Sequence, residues 1–247
     1  MMHTAALLTW PKVKSLVEQG AIALLPIGST EAHGPHLPLN VDVVIAEHVC
    51  AQVAQRLTGV ECVMFPSVVY SLTDFAAPFA GTVSISRDTA SAQLSEVVKG
   101  IAQSGFQLVA LINHHLEPAH FSLVNRLQKT LVMEKCRLVV PDHRRAPTGP
   151  ALGDEFMFGG SHAGNYETSL MLAAAPHLVD ETIRRSLKDN PVELPAKIKA
   201  GALDFHQCGG PEAYFGTPAS ATAAEGQRLF SLLADFSADQ IREALTR

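Results

Sequence analysis

The chain has 247 residues, a formal net charge of −5, 47% hydrophobic residues and 17% charged ones. That balance supports a substantial buried core and excludes a disordered chain. The acidic total excludes a nucleic-acid surface, and the pairs Arg144-Arg145 and Arg184-Arg185 read as isolated, solvated charges.

The four cysteines (Cys50, Cys62, Cys136 and Cys208) lie far apart without a CxxC pair. They fit reduced thiols in a cytoplasmic protein, with Cys50 and Cys62 read as small core residues. The N-terminus lacks the basic and apolar regions of a signal peptide. No apolar run is long enough to span a bilayer, so neither a membrane nor a nucleic acid is expected as a partner. No boundary, repeat or low-complexity segment divides the chain, which reads as one domain over 1–247.

In chain order, Leu8-Thr9-Trp10-Pro11 opens a helix capped at Thr9, with Val13, Leu16 and Val17 on its buried side and a stop at Gly20. The apolar strand 21–27 follows. Apolar residues then recur at helical spacing over 43–57 (Val44, Ile45, Val49, Val53, Leu57), and Gly59 ends that helix. Residues 60–70 read as a second strand bent at Pro66, and the alternation over 82–86 as a short third. Ser86 or Asp88 caps a helix over 88–103. The buried strand 106–113, a helix to about Lys135 and a strand over 137–141 come next. Residues 142–162 are rich in Pro and Gly and read as loop. Helices over 163–175 and 220–245 finish the chain, with an irregular stretch over 187–219. This alternation predicts an α/β fold: a three-layer α/β/α domain with a mostly parallel sheet.

Ligands of parallel sheets sit beyond the carboxyl ends of the strands. The strand 21–27 runs into a Gly/Pro-rich loop holding Glu31, His33, His36 and Asp42; the strand 106–113 runs into His114, His115 and Glu117. Imidazole and carboxylate together suit zinc, manganese or iron. Glu31, His33, Asp42, His115 and Glu117, with His36 and His114 in reserve, exceed what one tetrahedral ion needs. Two ions bridged by Asp42 fit better, and such a pair activates water and polarises a carbonyl. A third cluster, Gly159-Gly160-Ser161-His162-Ala163-Gly164 followed by Glu167, joins a loop to a helix, where His162 is either a functional group or a helix cap.

The run from Leu25 to Leu39 with Asp42, the segment Asn113-His114-His115-Leu116-Glu117, and His162-Ala163-Gly164 with Glu167-Thr168-Ser169 resemble the motifs of the creatininase family of metal-dependent amidohydrolases. The stretch Gly216 to Gln227 resembles the family's tail. The resemblance implies a three-layer α/β/α fold, assembly into a homohexamer, and two zinc, manganese or iron ions per chain. It implies one ion on Glu31, Asp42 and His115 and a second on His33, Asp42 and Glu117. It implies His162 as the acid that protonates the leaving nitrogen, supported by Glu167.

The sequence departs from the family pattern in three places. His114 stands where the family has Gly, Phe79-Ala80-Gly81-Thr82 stands for Phe-Pro-Gly-Thr, and the only tryptophan is Trp10. Creatininase itself encloses its small ring with two tryptophans. Phe158 is positioned to supply an apolar wall here, and His36 and His114 to contact the substrate. The expected activity is hydrolysis of the C–N bond of a small cyclic amide, formamide or peptide-like substrate. A two-metal phosphoester hydrolase is disfavoured because no basic residue lies near either cluster in sequence. A non-catalytic metal-binding assembly protein is the alternative of another class.

Overall fold

The computed structural model describes residues 1–144, 147–159 and 161–246; Arg145 and Gly160, quoted above, lie outside them. A short strand β1 (Met2–Thr4) precedes α1 (Trp10–Glu18) and β2 (Ile22–Ile27). Then follow α2 (Val41–Arg56), β3 (Cys62–Met64), α3 (Arg87–Gln103), β4 (Leu108–Asn113), α4 (Pro118–Thr130) and β5 (Arg137–Val139). The five strands form one all-parallel sheet in the order β1-β3-β2-β4-β5.

β2 and β4 are buried along their whole length, as expected of strands covered on both faces. Their side chains alternate between two cores. Ile22, Leu24, Leu108, Ala110 and Ile112 face a core shared with α2 and two later helices, α7 (Asn165–Ala174) and α11 (Ala223–Thr246). Ala23, Leu25, Ile27, Val109 and Leu111 face a core shared with α1, α3 and α4. This is the three-layer arrangement that the alternation of apolar segments predicted. Cys50 and Cys62 lie fully buried in the first core.

Several elements differ from expectation. β1 was not foreseen, being three residues at a sheet edge. The strand expected over 60–70 keeps ladder pairing only at Cys62–Met64, because Pro66 turns the chain away; Val68 returns for a single bridge with Ile27. The alternation over 82–86 yields one bridge, Ser71 to Ser84, because Ser84 Oγ bonds Thr73 N and Asp74 instead. The helix expected to reach Lys135 stops at Thr130.

The stretch 142–162 holds two short helices, α5 (Thr148–Ala151) and α6 (Asp154–Phe158). Residues 187–219 hold α9 (Leu194–Lys199) and α10 (Phe205–Cys208), following α8 (Glu181–Ser186). Arg184 is not solvated: it is buried, pairs with both oxygens of Glu181 and donates to the carbonyls of Pro218 and Ala219.

Two glycines are required by close approach. A Cβ at Gly28 would stand 2.6 Å from Val43 N and 2.8 Å from Asp42 Cβ, so only Gly lets the start of α2 press against the end of β2. A Cβ at Gly226 would stand 1.9 Å from Ser169 O, which lets α11 cross directly against α7.

Candidate metal centre

β2 and β4 pair from Ala23↔Val109 to Ile27↔Asn113, so the loops leaving them open side by side at the carboxyl edge of the sheet. Asp42 arrives on the first turn of α2, held there through Gly28, and Glu167 on the first turn of α7. Glu31, His33, Asp42, His115, His162 and Glu167 are all buried. Their donor atoms fall into three sets, each with all atoms within 4.8 Å of one another: Glu31/Asp42/His115, His33/Asp42/Glu167 and Glu31/His33/His162.

The hydrogen bonds indicate what the cluster is for. His33 Nδ1 meets the carbonyl of Glu31 at 3.1 Å, His115 Nε2 that of Leu72 at 2.6 Å and His162 Nε2 that of Ala32 at 3.0 Å. A carbonyl only accepts, so in each ring that nitrogen donates, and a neutral ring turns its lone pair inward. This is the outer-shell pattern of metal-ligating histidines. His33 Nε2 has no hydrogen-bond partner, yet stands 3.4 Å from Asp42 Oδ1, 3.4 Å from Glu167 Oε2 and 3.7 Å from Glu31 Oε1. His115 Nδ1 stands 3.0 Å from Asp42 Oδ2 and 3.3 Å from Glu31 Oε1. Donors at 2.0–2.2 Å from a tetrahedral ion are about 3.4 Å apart, so these spacings suit cations seated among the donors.

Without an ion the carboxylates can be balanced only by protons. Burial opposes protonation of His33, but the carboxylates of Glu167, Asp42 and Glu31 prevail and hold its pKa at about 10. His115 is raised likewise, against burial, by Glu31 and Asp42. Burial pushes Glu167 up to about 8, with the neighbouring Asp42 and Glu31 adding to it and His33 opposing. Burial pushes Asp42 up, but the adjacent rings of His115 and His33 outweigh it and hold its carboxyl well below the usual range. Three buried carboxylates around two imidazoles are the donor set for divalent ions.

Glu117, which the resemblance placed beside His33 and Asp42, joins none of these sets among the described residues; the carboxylate grouped with His33 and Asp42 is Glu167. Glu117 instead lines the adjoining cavity. Its Oε2 accepts from Phe75 N at 3.2 Å, its Oε1 has no partner, and burial raises its pKa. His162 is kept neutral by burial, its Nδ1 lying 3.9 Å from Glu31 Oε1.

The three residues assigned to substrate contact lie elsewhere. His36 bonds Thr168 Oγ1 at 2.9 Å, and burial lowers its pKa to about 4. His114 points behind the centre, stacked between His143 and Tyr166, and burial lowers its pKa to about 3. Phe158 is 60% exposed and does not line the cavity; Phe156 and Met157 do.

The cavity itself measures about 480 Å³. Glu31, Asp42, His115, Glu117, His162 and Glu167 form its floor, and Phe75, Phe156, Ile198 and Phe205 its apolar walls. Trp10 is exposed and outside it. Contrary to expectation, basic residues are present: Arg144 and Lys199 both line it.

Sequence reading also missed the groups that hold the ligands. Ser29 Oγ donates to Asp42 Oδ2 at 2.7 Å, and Thr73 Oγ1 donates to Glu31 Oε2. Ser71, His120 and Asn113 form a buried chain ending on the carbonyl of His115. Asn113 and His120, flanking the recognised His115, carried the signal; Ser29 and Thr73 carried none.

A family model described as Creatininase, creatinine amidohydrolase, matches residues 6–241. The chain belongs to the creatininase family. It is accordingly an amidohydrolase, acting on C–N bonds. A mycofactocin precursor peptide peptidase of Mycobacterium ulcerans is 31% identical over 235 residues, 92% of this chain and 83% of that protein. A creatinine amidohydrolase of Pseudomonas putida is 28% identical over 256 residues, 96% of this chain and 95% of that protein. A solved manganese creatininase aligns with a TM-score of 0.78 at 24% identity, covering 99% of both chains. A zinc–zinc form of a creatininase variant aligns with a TM-score of 0.76, covering 98% of this chain and 97% of that one. No helix among the described residues is long and apolar enough to cross a membrane.

Proposed function

We propose that this amidohydrolase works with two divalent ions, one held by Glu31, Asp42 and His115 and the other by His33, Asp42 and Glu167. Asp42 carries the reading, since its two oxygens point to different donor sets: Oδ2 toward His115 and Oδ1 toward His33. When bound, such ions supply Lewis acidity that brings a water's pKa toward neutrality and polarises the amide carbonyl. Manganese and zinc, present in the aligned creatininase structures, are the favoured ions, with iron as the third.

The protein's own groups handle the protons. Glu117 Oε1, unpartnered in the cavity and with a raised pKa, accepts a proton from the attacking water. His162 Nδ1, its lone pair facing inward, takes up the proton that Glu117 drew from the water and passes it to the leaving nitrogen, which returns Glu117 to its carboxylate form. Glu31 at 3.9 Å favours the charged ring in that interval. Glu167 fixes the His162 loop through its bond from Ala163 N at 2.7 Å, so it serves both ion and loop.

The apolar walls and the volume of about 480 Å³ favour a peptide-like amide over a single small ring. The peptide peptidase among the relatives supports the same choice. The reading treats residues 1–247 as one domain and includes a homohexamer, which light scattering at micromolar concentration tests. It also includes a cytoplasmic setting, supported by four free, buried cysteines.

Elemental analysis of the purified protein, paired with a panel of peptide, formamide and lactam substrates, tests the whole reading. Two ions per chain and hydrolysis of at least one amide class are expected. Activity that survives complete metal removal would end it.

A further inference from the structure

The cavity has an uneven charge distribution. All its carboxylates (Glu31, Asp42, Glu117 and Glu167) lie on the floor, where the proposed ions balance them. Its two cations come from separate walls: Arg144 follows β5, and Lys199 ends α9. Arg144 is held in place, its guanidinium carbon 3.1 Å from the centroid of Phe121 and its Nε 3.2 Å from Asp142 Oδ1. Its two terminal nitrogens have no hydrogen-bond partner among the described residues, which leaves them for a carboxylate. Lys199 has no ion-pair partner among the described residues. The rest of the lining is mostly apolar, with Phe156, Met157 and Ile198 among it.

We propose that Lys199 and Arg144 select substrates ending in a free carboxylate. The preferred substrate is then a short peptide or N-acyl amino acid with an apolar side chain and an ionised C-terminus. The inference rests on the amide-hydrolase reading and specifies its substrate class. A cavity of about 480 Å³ leaves room for an extended amide whose terminal anion meets a lining cation, and creatinine carries no such anion. A basic substrate would place its charge against Lys199 and Arg144 and is rejected.

The test compares N-acetyl-Leu-Leu with its C-terminal amide, which differs only in the terminal charge, on the metal-loaded enzyme and on Lys199→Met. Both kcat/KM and calorimetric Kd are recorded. A charge-assisted hydrogen bond predicts roughly tenfold preference for the acid per cation. The preference should shrink about tenfold in Lys199→Met, leaving the share of Arg144, and weaken as salt is raised. Equal cleavage of acid and amide would overturn the carboxylate anchor while leaving the hydrolase reading intact. If neither is cleaved, binding decides. Tighter binding of the acid, reduced about tenfold in Lys199→Met, would uphold the anchor and count against the hydrolase reading. Absence of binding, or binding without preference, would overturn the anchor.

Discussion

Asp42→Asn separates a bridging ligand from an ordinary one, because it removes a charge at almost constant shape. In the wild type, free metal at a hundred times Kd stabilises the fold by about 2.7 kcal/mol per ion. Two ions then contribute about 5.4 kcal/mol, and at roughly 2–4 °C per kcal/mol for a domain of this size the melting temperature rises by roughly 10–20 °C over the metal-free protein. Asp42 is the donor shared by Glu31/Asp42/His115 and His33/Asp42/Glu167, so one substitution weakens both sets. Losing even an outer-shell partner costs 10–100-fold in metal affinity. Taking ~100-fold for each ion at the same free metal leaves about 0.4 kcal/mol per ion and a shift of about 2–3 °C.

Differential scanning fluorimetry with and without metal reads this directly, with Glu117→Gln as the control. That variant should keep the full metal-dependent shift and lose turnover by about 10²–10⁴-fold, as expected for a general base outside the donor sets. A wild-type shift in Asp42→Asn, or loss of the shift in Glu117→Gln, would refute the assignment.

His162→Ala should lower kcat by about 10²–10⁴-fold while metal content, measured by elemental analysis, stays at two ions per chain; loss of one ion would move His162 to the ligands. Gly226→Ala forces a Cβ into Ser169 O and should cost ~1–3 kcal/mol of overpacking, lowering the melting temperature by several degrees. Paired with Arg184, Glu181 is held down at about 2 from its ordinary 4.5. Its contribution to stability is therefore present above pH ~4.5 and lost as pH falls toward ~2. Because Glu181 is partly exposed, the effect is under about 1 kcal/mol. Glu181→Gln should flatten that limb of the pH–stability curve, which chemical denaturation at graded pH would show.

What could be read from the sequence follows from how each segment is buried. β2 and β4 are covered on both faces, so they are continuous apolar runs, and their polar successors mark the carboxyl edge without further information. That Glu31, His33, Asp42 and His115 gather at that edge was legible for that reason. The grouping of Glu167, rather than Glu117, with His33 and Asp42 was not, because it depends on how α7 packs against α11 and enters the cluster. Ser84 shows why alternation alone misleads: its hydroxyl serves Thr73 and Asp74 rather than a strand partner. Arg144 and Lys199 come from segments without periodicity, and only the folded cavity brings them to one space.

The three inward-facing imidazoles are tethered through carbonyls of Glu31, Leu72 and Ala32, which are main-chain atoms. Side-chain replacement elsewhere cannot delete those tethers, so the orientation of the rings is insulated from most sequence drift. The walls are built differently, from the short helices α6, α9 and α10 laid over the sheet edge. An engineer seeking a new substrate would therefore graft or randomise those helices and leave the β2 and β4 loops untouched. On the proposed reading, activating water and choosing what it attacks are separable parts of one chain.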